Sequence, residues 1–456
     1  MNENTGFFTQ DRQFYISFIS LTVALMLEQA VILSVNLADN VMLGAYSEAA
    51  LSGVAAVNQI QFVLQQLVYG ISNGMIVLGS QYWGQRRTGE IRKLSSIGAW
   101  TALGLTLFLF AAVSLFPRGT LMLFTSDEAI IREGVSYLSI MRFSYMFFGL
   151  TTVMLGTLRI AESVKIALKV SVLSLVINVS INYLLITGRF GLPEMGARGA
   201  AVGTLTARVV ECVIVAVYLF TRDNGLDIHP ADYLHIDREM FRDYMRVSLP
   251  ILGGSGIWGV SNAIQTVILG HMDSSAIAAQ SISSTLFQLL KVTSVGAASA
   301  ASVIIGKTVG AGKMDRLRQY TRTLQVLFVG IGLTLAALYT AIRFPLLSLY
   351  NISEETRRMA NAFMTIQTVT IFTMSYQMPV NTGIIRGGGD TGYIFKLDLI
   401  SIVGIVLPLS LLAAFVWHMS PVAVTIFLNS DQVFKCIPAF IRVNRYKWVK
   451  KLTRDE

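Results

Sequence analysis

Residues 14–44 read FYISFISLTVALMLEQAVILSVNLADNVMLG, apolar over most of their length and then broken by Asn36, Asp39 and Asn40. A bilayer-spanning helix takes roughly 20 mostly apolar residues, and more when it tilts. This segment is therefore a long spanning helix that carries a carboxylate and two amides near its end. The rest of the chain is of the same kind. Of 456 residues, 53% are hydrophobic and 14% charged, where a soluble domain holds about 25% charged residues. Apolar runs recur throughout with no long polar block between them, which predicts an all-α polytopic membrane protein without an extramembrane domain. About twelve transmembrane helices are expected, near 14–43, 49–80, 93–116, 128–160, 166–188, 198–221, 246–270, 275–305, 318–343, 355–385, 393–416 and 420–441.

The net charge of +9 raises a nucleic-acid reading, and the placement of the basic residues answers it. They gather in alternate loops: Arg86, Arg87, Arg92 and Lys93; Arg159, Lys165 and Lys169; Arg238, Arg242 and Arg246; Lys307, Lys313, Arg316 and Arg318; and the tail RVNRYKWVKK. This is a topology signal, and it puts both termini of a multi-pass cell-membrane protein in the cytoplasm, with no nucleic-acid partner. The N-terminal MNENTGFFTQDRQF has neither the basic region nor the cleavage site of a signal peptide, so the first helix is expected to stay in the mature chain. Cys212 and Cys436 both lie in apolar runs and the four histidines are scattered, a pattern of neither a disulfide framework nor a metal centre.

An internal repeat organises the chain. Gly44 and Gly270 lie 226 positions apart, as do Gly84 and Gly310, Asn36 and Asn262, Ala50 and Ala276, and Arg92 and Arg318. Six helices are followed by six similar ones, in two pseudo-symmetric lobes. The expected division is 1–221 for the N-terminal six-helix lobe, 222–245 for a cytoplasmic linker with an amphipathic helix after Pro230, and 246–456 for the C-terminal six-helix lobe with its short basic tail. Both lobes start on the same side, a parallel repeat suited to rocking around a cleft.

Ionisable residues at membrane depth commonly mark ion or substrate pathways, or pair internally. Arg208 with Glu211, three apart, and Asp431 with Lys435, four apart, read as internal pairs. Asp39 reads differently, because Asn36 and Asn40 accompany it. The fifth helix carries Asn178 and Asn182 four apart, and the sixth opens with Gly199, Gly203 and Thr204. If these helices pack together, Asp39, Asn36, Asn178, Asn182 and Thr204 form an oxygen-lined cation-coupling site. A desolvated carboxylate there can exchange a proton, and the same oxygens can hold Na+. The second helix has a polar stripe with Asn58, Phe62, Gln65 and Tyr69 on one face, which is expected to line a substrate cleft. Its counterparts across the repeat are Gln288 and Lys291, with Asn262 and Gln265 on the seventh helix. Glu28 and Asp398 are secondary candidates, and either could satisfy Lys291.

With these residues the chain resembles the multidrug and toxic compound extrusion (MATE) family, within the class of flippases and polysaccharide exporters. The likeness rests on NLADNVMLG with AALSGVAAVNQ, GSQYWGQ at 79–85 and its echo IGKTVGAG at 305–312, GRFGLPEMGARGAAVGT at 188–204, and IIRGGGDTG at 384–392. The resemblance implies export of small amphipathic organic compounds or drugs by alternating access, driven by H+ or Na+ with no further cofactor. It implies coupling through Asp39, with Asn178, Asn182 and Thr204 at matching polar positions. Some relatives carry an aspartate where Asn182 stands, and a branch with acidic residues in helices seven and ten has Asn262, Gln265, Gln377 and Asn381 here in their place. A lipid or lipid-linked saccharide flippase of the same architecture is the alternative. An enzyme is not expected, for no catalytic constellation is legible, nor is a channel, which favours symmetric rings or filter loops. The expected partners are small organic substrates and the bilayer, with the protein acting as a monomer.

Overall fold

The computed structural model describes residues 8–125, 127–222, 225–272, 274–348, 350 and 352–454, so the first seven residues of the N-terminal reading lie outside the described residues. All regular structure among the described residues is helical: α1 Arg12–Tyr46, α2 Glu48–Gly84, α3 Thr88–Leu115, α4 Pro117–Met122, α5 Glu128–Met141, α6 Ser144–Ile160, α7 Lys165–Leu185 and α8 Ala197–Thr221, then α9 Arg238–Gly270, α10 Ser274–Gly310, α11 Met314–Ser348, α12 Glu354–Met378, α13 Thr391–Asp398, α14 Leu407–Leu411, α15 Pro421–Phe434 and α16 Cys436–Asn444. The twelve expected rods are all here. The fourth is α5 and α6 together, bent by 52° at Arg142 and Phe143. The eleventh runs from α13 through two π-helical stretches, Leu399–Val406 and Leu412–Val416, with α14 between them. Pro408 explains the first widening, since it has no N–H to give the carbonyl four residues back. By length and apolarity alone, eight helices among the described residues qualify to cross a membrane, or nine with the bent pair. The rods that fall short are polar or short: α9 and α12 open on Arg238, Glu239 and Arg242 and on Glu354, Glu355, Arg357 and Arg358, and α15 has 14 residues.

The linker differs from its expectation. Pro230–Leu234 is a single 3-10 turn, and the helix that follows begins at Arg238 and runs unbroken into the seventh rod. Asp237 is the reason, because one of its carboxylate oxygens accepts the N–H groups of Glu239 at 3.0 Å and Met240 at 3.1 Å and so caps the helix there.

The chain forms two compact units. One comprises Met1–Met26, Ser80–Gln85 and Leu249–Glu456, the other Leu27–Gly79 and Arg86–Ser248. These differ from the division read off the repeat because α1, α2 and α9, at 33 to 37 residues, each run from one unit into the other. The second unit is built on a core of Leu43, Val54, Val57, Leu64, Tyr137, Tyr145 and their neighbours. The first unit has a core of Ala276, Ala279, Phe363, Met364, Ile371 and Tyr339, with a smaller cluster about Ile268 and Val424.

Within the first unit the repeat shows itself as a reciprocal contact at the ends of α2 and α10. A Cβ on Gly84 would strike the carbonyl of Lys307, and one on its repeat partner Gly310 would strike the carbonyl of Gln81, which is the partner of Lys307. A Cβ on Gly306 would lie 2.8 Å from the Cβ of Ser80, its own partner. Glycine is required at 84 and 310 by close backbone approach.

Candidate cation site among α1, α7 and α8

Asp39 lies in the last three turns of α1, half-buried. Asn178 and Asn182 are buried on α7, and Thr204 is buried on α8. The structure joins them in one hydrogen-bonded line. Asn182 donates Nδ2 to Asp39 Oδ1 at 2.5 Å and to Asn178 Oδ1 at 3.2 Å, and Asn178 donates Nδ2 to Thr204 Oγ1 at 3.1 Å. The spacing makes this possible: two amides four apart face the same way on a helix. Gly203 lets α8 come in, since a Cβ there would collide with Asn182 Oδ1. That oxygen is buried and accepts no hydrogen bond, so the site holds one acceptor in reserve beside the carboxylate. Such an arrangement of one carboxylate, one spare amide oxygen and one hydroxyl can stabilise a proton or a small hard cation where water is scarce.

Two residues enter that sequence reasoning missed. Tyr137 of α5 is 2% exposed and interacts electrostatically with Asp39. Its signal was a tyrosine on an apolar helix face, where a buried hydroxyl needs a partner. Arg208 of α8 forms the expected ion pair with Glu211 at 2.8 Å, and it also interacts electrostatically with Asp39. Only the packing of α8 on α1 reveals that second role.

Asn36 is a correction. It was expected in the cluster, but it is exposed and makes no hydrogen bond to Asp39. Three residues before Asp39 at 100° each leaves it turned by about 60° from the face that meets α7.

The stripe on α2 stays together: Asn58, Phe62, Gln65 and Tyr69 are all half-buried along one face. Tyr69 packs edge-on against Phe148 with centroids 5.9 Å apart and interacts electrostatically with Arg208, Glu28, Arg159 and Glu211. In the other unit, Lys291 Nζ stands 4.6 Å from the centroid of the Trp258 ring. Of its two expected partners, Asp398 accepts from Lys435 at 2.9 Å instead, and Glu28, which belongs to the second unit, faces Arg159 at 3.6 Å. Lys435 also reaches Asp431 at 3.1 Å, the pair the spacing predicted. Gln288 and Asn262 are exposed, and Gln265 donates to Ser261 of its own helix at 3.2 Å. Among the described residues there is no group of three or more His, Cys, Asp or Glu side chains that could hold a metal ion.

Comparisons with known proteins place the whole chain. The MatE family model matches residues 24–184 and 250–412, two blocks that begin 226 positions apart, the offset of the repeat. The probable multidrug resistance protein YoeA of Bacillus subtilis is 25% identical over 79% of this chain and 78% of its own length. The probable multidrug resistance protein NorM of Streptococcus pneumoniae is 24% identical over 88% of both chains. Among solved structures, an outward-facing multidrug resistance MATE family transporter of the MOP superfamily superposes with a TM-score of 0.85 at 17% identity, covering 97% of this chain and 99% of the other. A MOP superfamily transporter from Pyrococcus furiosus, described as having a binding pocket of reversed polarity, gives a TM-score of 0.84 at 17% identity over 96% and 98%. The twelve rods therefore have the architecture of two pseudo-symmetric six-helix lobes.

Proposed function

Since the chain belongs to the MATE family of transporters, within the MOP superfamily, we propose that it exports small amphipathic organic compounds by antiport and that Asp39 is the group on which the driving cation acts. It is a membrane transporter rather than an enzyme, and transport of this class is coupled to an ion gradient. The observation that carries the assignment of Asp39 is its bond from Asn182 at 2.5 Å in a line that ends on Thr204. Loading a proton or sodium ion there removes the charge that Asn182 now satisfies, which changes how α1 packs on α7 and α8. Coupling follows when ion and substrate differ in affinity for the inward- and outward-open states.

The orientation read from the basic loops completes the proposal: both termini are cytoplasmic, the working unit is the monomer, and no nucleic acid takes part. The polar stripe on α2 and Lys291 with Trp258 are the substrate-facing groups we assign. An ammonium held over an indole suits zwitterionic and anionic compounds as well as neutral ones, and this widens the substrate class without changing the mechanism.

The test is uptake of cationic, zwitterionic and anionic dyes into proteoliposomes under an imposed proton or sodium gradient. Accumulation that follows one gradient identifies the ion. If no dye moves under either gradient with protein that is folded and inserted, antiport of small compounds is wrong and lipid-linked substrates take its place.

A further inference from the structure

The second unit holds more buried acid than base. Glu28 of α1 is 6% exposed, and its Oε2 is buried without a hydrogen bond. It looks onto Arg159 of α6, whose Nη2 is 3.6 Å away. Glu211 and Tyr69 complete its surroundings, as both interact with it electrostatically, from α8 and α2. Glu211 is itself 5% exposed and bound to Arg208.

These residues are joined to Asp39 by helix geometry. Eleven residues at 100° each return Glu28 to nearly the same face of α1 as Asp39, about 16 Å along the axis. On α8, Thr204, Arg208 and Glu211 fall at i, i+4 and i+7, again one face. The two faces are linked electrostatically, Asp39 with Arg208 and Glu28 with Glu211. Three carboxylates, Glu28, Asp39 and Glu211, thus share two guanidiniums, Arg159 and Arg208. Fully ionised, the cluster carries one uncompensated negative charge in a poorly solvated place, which is costly. A cation held on one of the three removes that cost, and they are not equally supported. Glu211 takes Arg208 at 2.8 Å and Asp39 takes Asn182 at 2.5 Å, while Glu28 accepts no hydrogen bond at its buried oxygen.

We infer that Glu28 is a second proton-binding carboxylate of this transporter, and that the cluster holds one exchangeable proton which resides on either Asp39 or Glu28. The inference rests on the coupling role given to Asp39 above. A guanidinium 3.6 Å from Glu28 opposes a metal cation there, whereas a proton neutralises the carboxylate with no ligand shell. Loading breaks one O–H bond of a hydronium ion and forms one on the Glu28 carboxylate, releasing a water molecule, and unloading is the reverse. When the proton leaves Asp39, the line through Arg208 and Glu211 makes protonation of Glu28 the neutral alternative. The cluster then keeps its total charge while the neutral position moves about three turns along α1.

Dicyclohexylcarbodiimide modifies carboxyl groups that are protonated in apolar surroundings, and mass spectrometry of the full-length protein in nanodiscs locates the adduct. Wild type is expected to be modified at Glu28, less so as pH rises. In Asp39→Asn the cluster has two carboxylates and two guanidiniums, Glu28 stays ionised, and its modification falls by roughly tenfold at the same pH. No adduct at Glu28 at any pH where the protein is folded, or equal adducts in wild type and Asp39→Asn, would overturn the inference. A transport arm separates it from the broader reading. Glu28→Gln is expected to bind dye and exchange it without a gradient but to lose gradient-driven accumulation, and Glu28→Asp to restore part of it. Accumulation by Glu28→Gln at the wild-type rate also overturns the inference. If wild type itself accumulates no dye, the proposed antiport fails, and the adduct comparison alone decides the case of Glu28.

Discussion

The two units treat their buried charges in opposite ways. In the C-terminal unit, Asp398 and Asp431 share Lys435, and Gln432, Gln377 and Asn381 extend the network, Gln432 donating to Asp431 at 2.8 Å, Gln377 to Gln432 at 2.7 Å and Asn381 to Gln377 at 3.0 Å. Arg386, which interacts electrostatically with Asp398, brings the count to two acids and two bases. Each carboxylate of that network has a base. In the unit of Asp39 the count of acids to bases is three to two, and one of the three acids, Glu28, has a buried Oε2 that accepts no hydrogen bond. A balanced network holds helices together, and an unbalanced one invites exchange.

The contrast can be broken first at Lys435. Lys435→Met leaves Asp398 and Asp431 with Arg386 as the one remaining base of the network and should cost about 3–5 kcal/mol of stability, read as a lowered thermal midpoint in detergent. Coupling per folded molecule is expected to persist. A variant of normal stability that has lost coupling would show that the C-terminal network also carries the ion. Asn182→Ala comes next. It removes a hydrogen bond to a charged group, about 1.5–3 kcal/mol, and should depress gradient-driven transport far more than dye binding. Equal losses in both would mean that Asn182 only packs α7 against its neighbours.

The smallest effect lies outside the membrane. Asp237→Ala should cost about 1 kcal/mol through the lost cap of α9 and leave coupling unchanged. The wild-type cap has a defined pH dependence. The Met240 N–H, with Lys93 at 3.4 Å, holds the Asp237 carboxyl below the usual carboxylate range. Its contribution to stability is therefore present above the unfolded value of about 4 and is lost as pH falls through the lower folded value. Acid unfolding of wild type and Asp237→Ala should converge at the acid end. A difference that persists there would deny the cap its charge.

The line Asp39, Asn182, Asn178 and Thr204 is legible in the sequence, because polar residues at helical spacing in an apolar chain leave few faces to choose from. The twelve rods were legible for the same reason, and so was the doubling. Asn36 was misplaced because membership of a cluster depends on which side of α1 meets α7, a rotation that spacing along one helix does not fix. Arg208 and Tyr137 were missed because their second partners come from other helices. The start of α9 at Arg238 was hidden by Pro230, which looked like the stronger boundary than the cap at Asp237. Periodicity reports a helix and its faces, and charge balance across several helices appears only once they are packed.

The most direct test of Asp39 as the coupling group compares two rates in proteoliposomes, dye exchange without a gradient and dye accumulation under one, for wild type and Asp39→Asn. The account predicts that Asp39→Asn, folded and inserted, retains exchange and loses accumulation. Accumulation at the wild-type rate would contradict it.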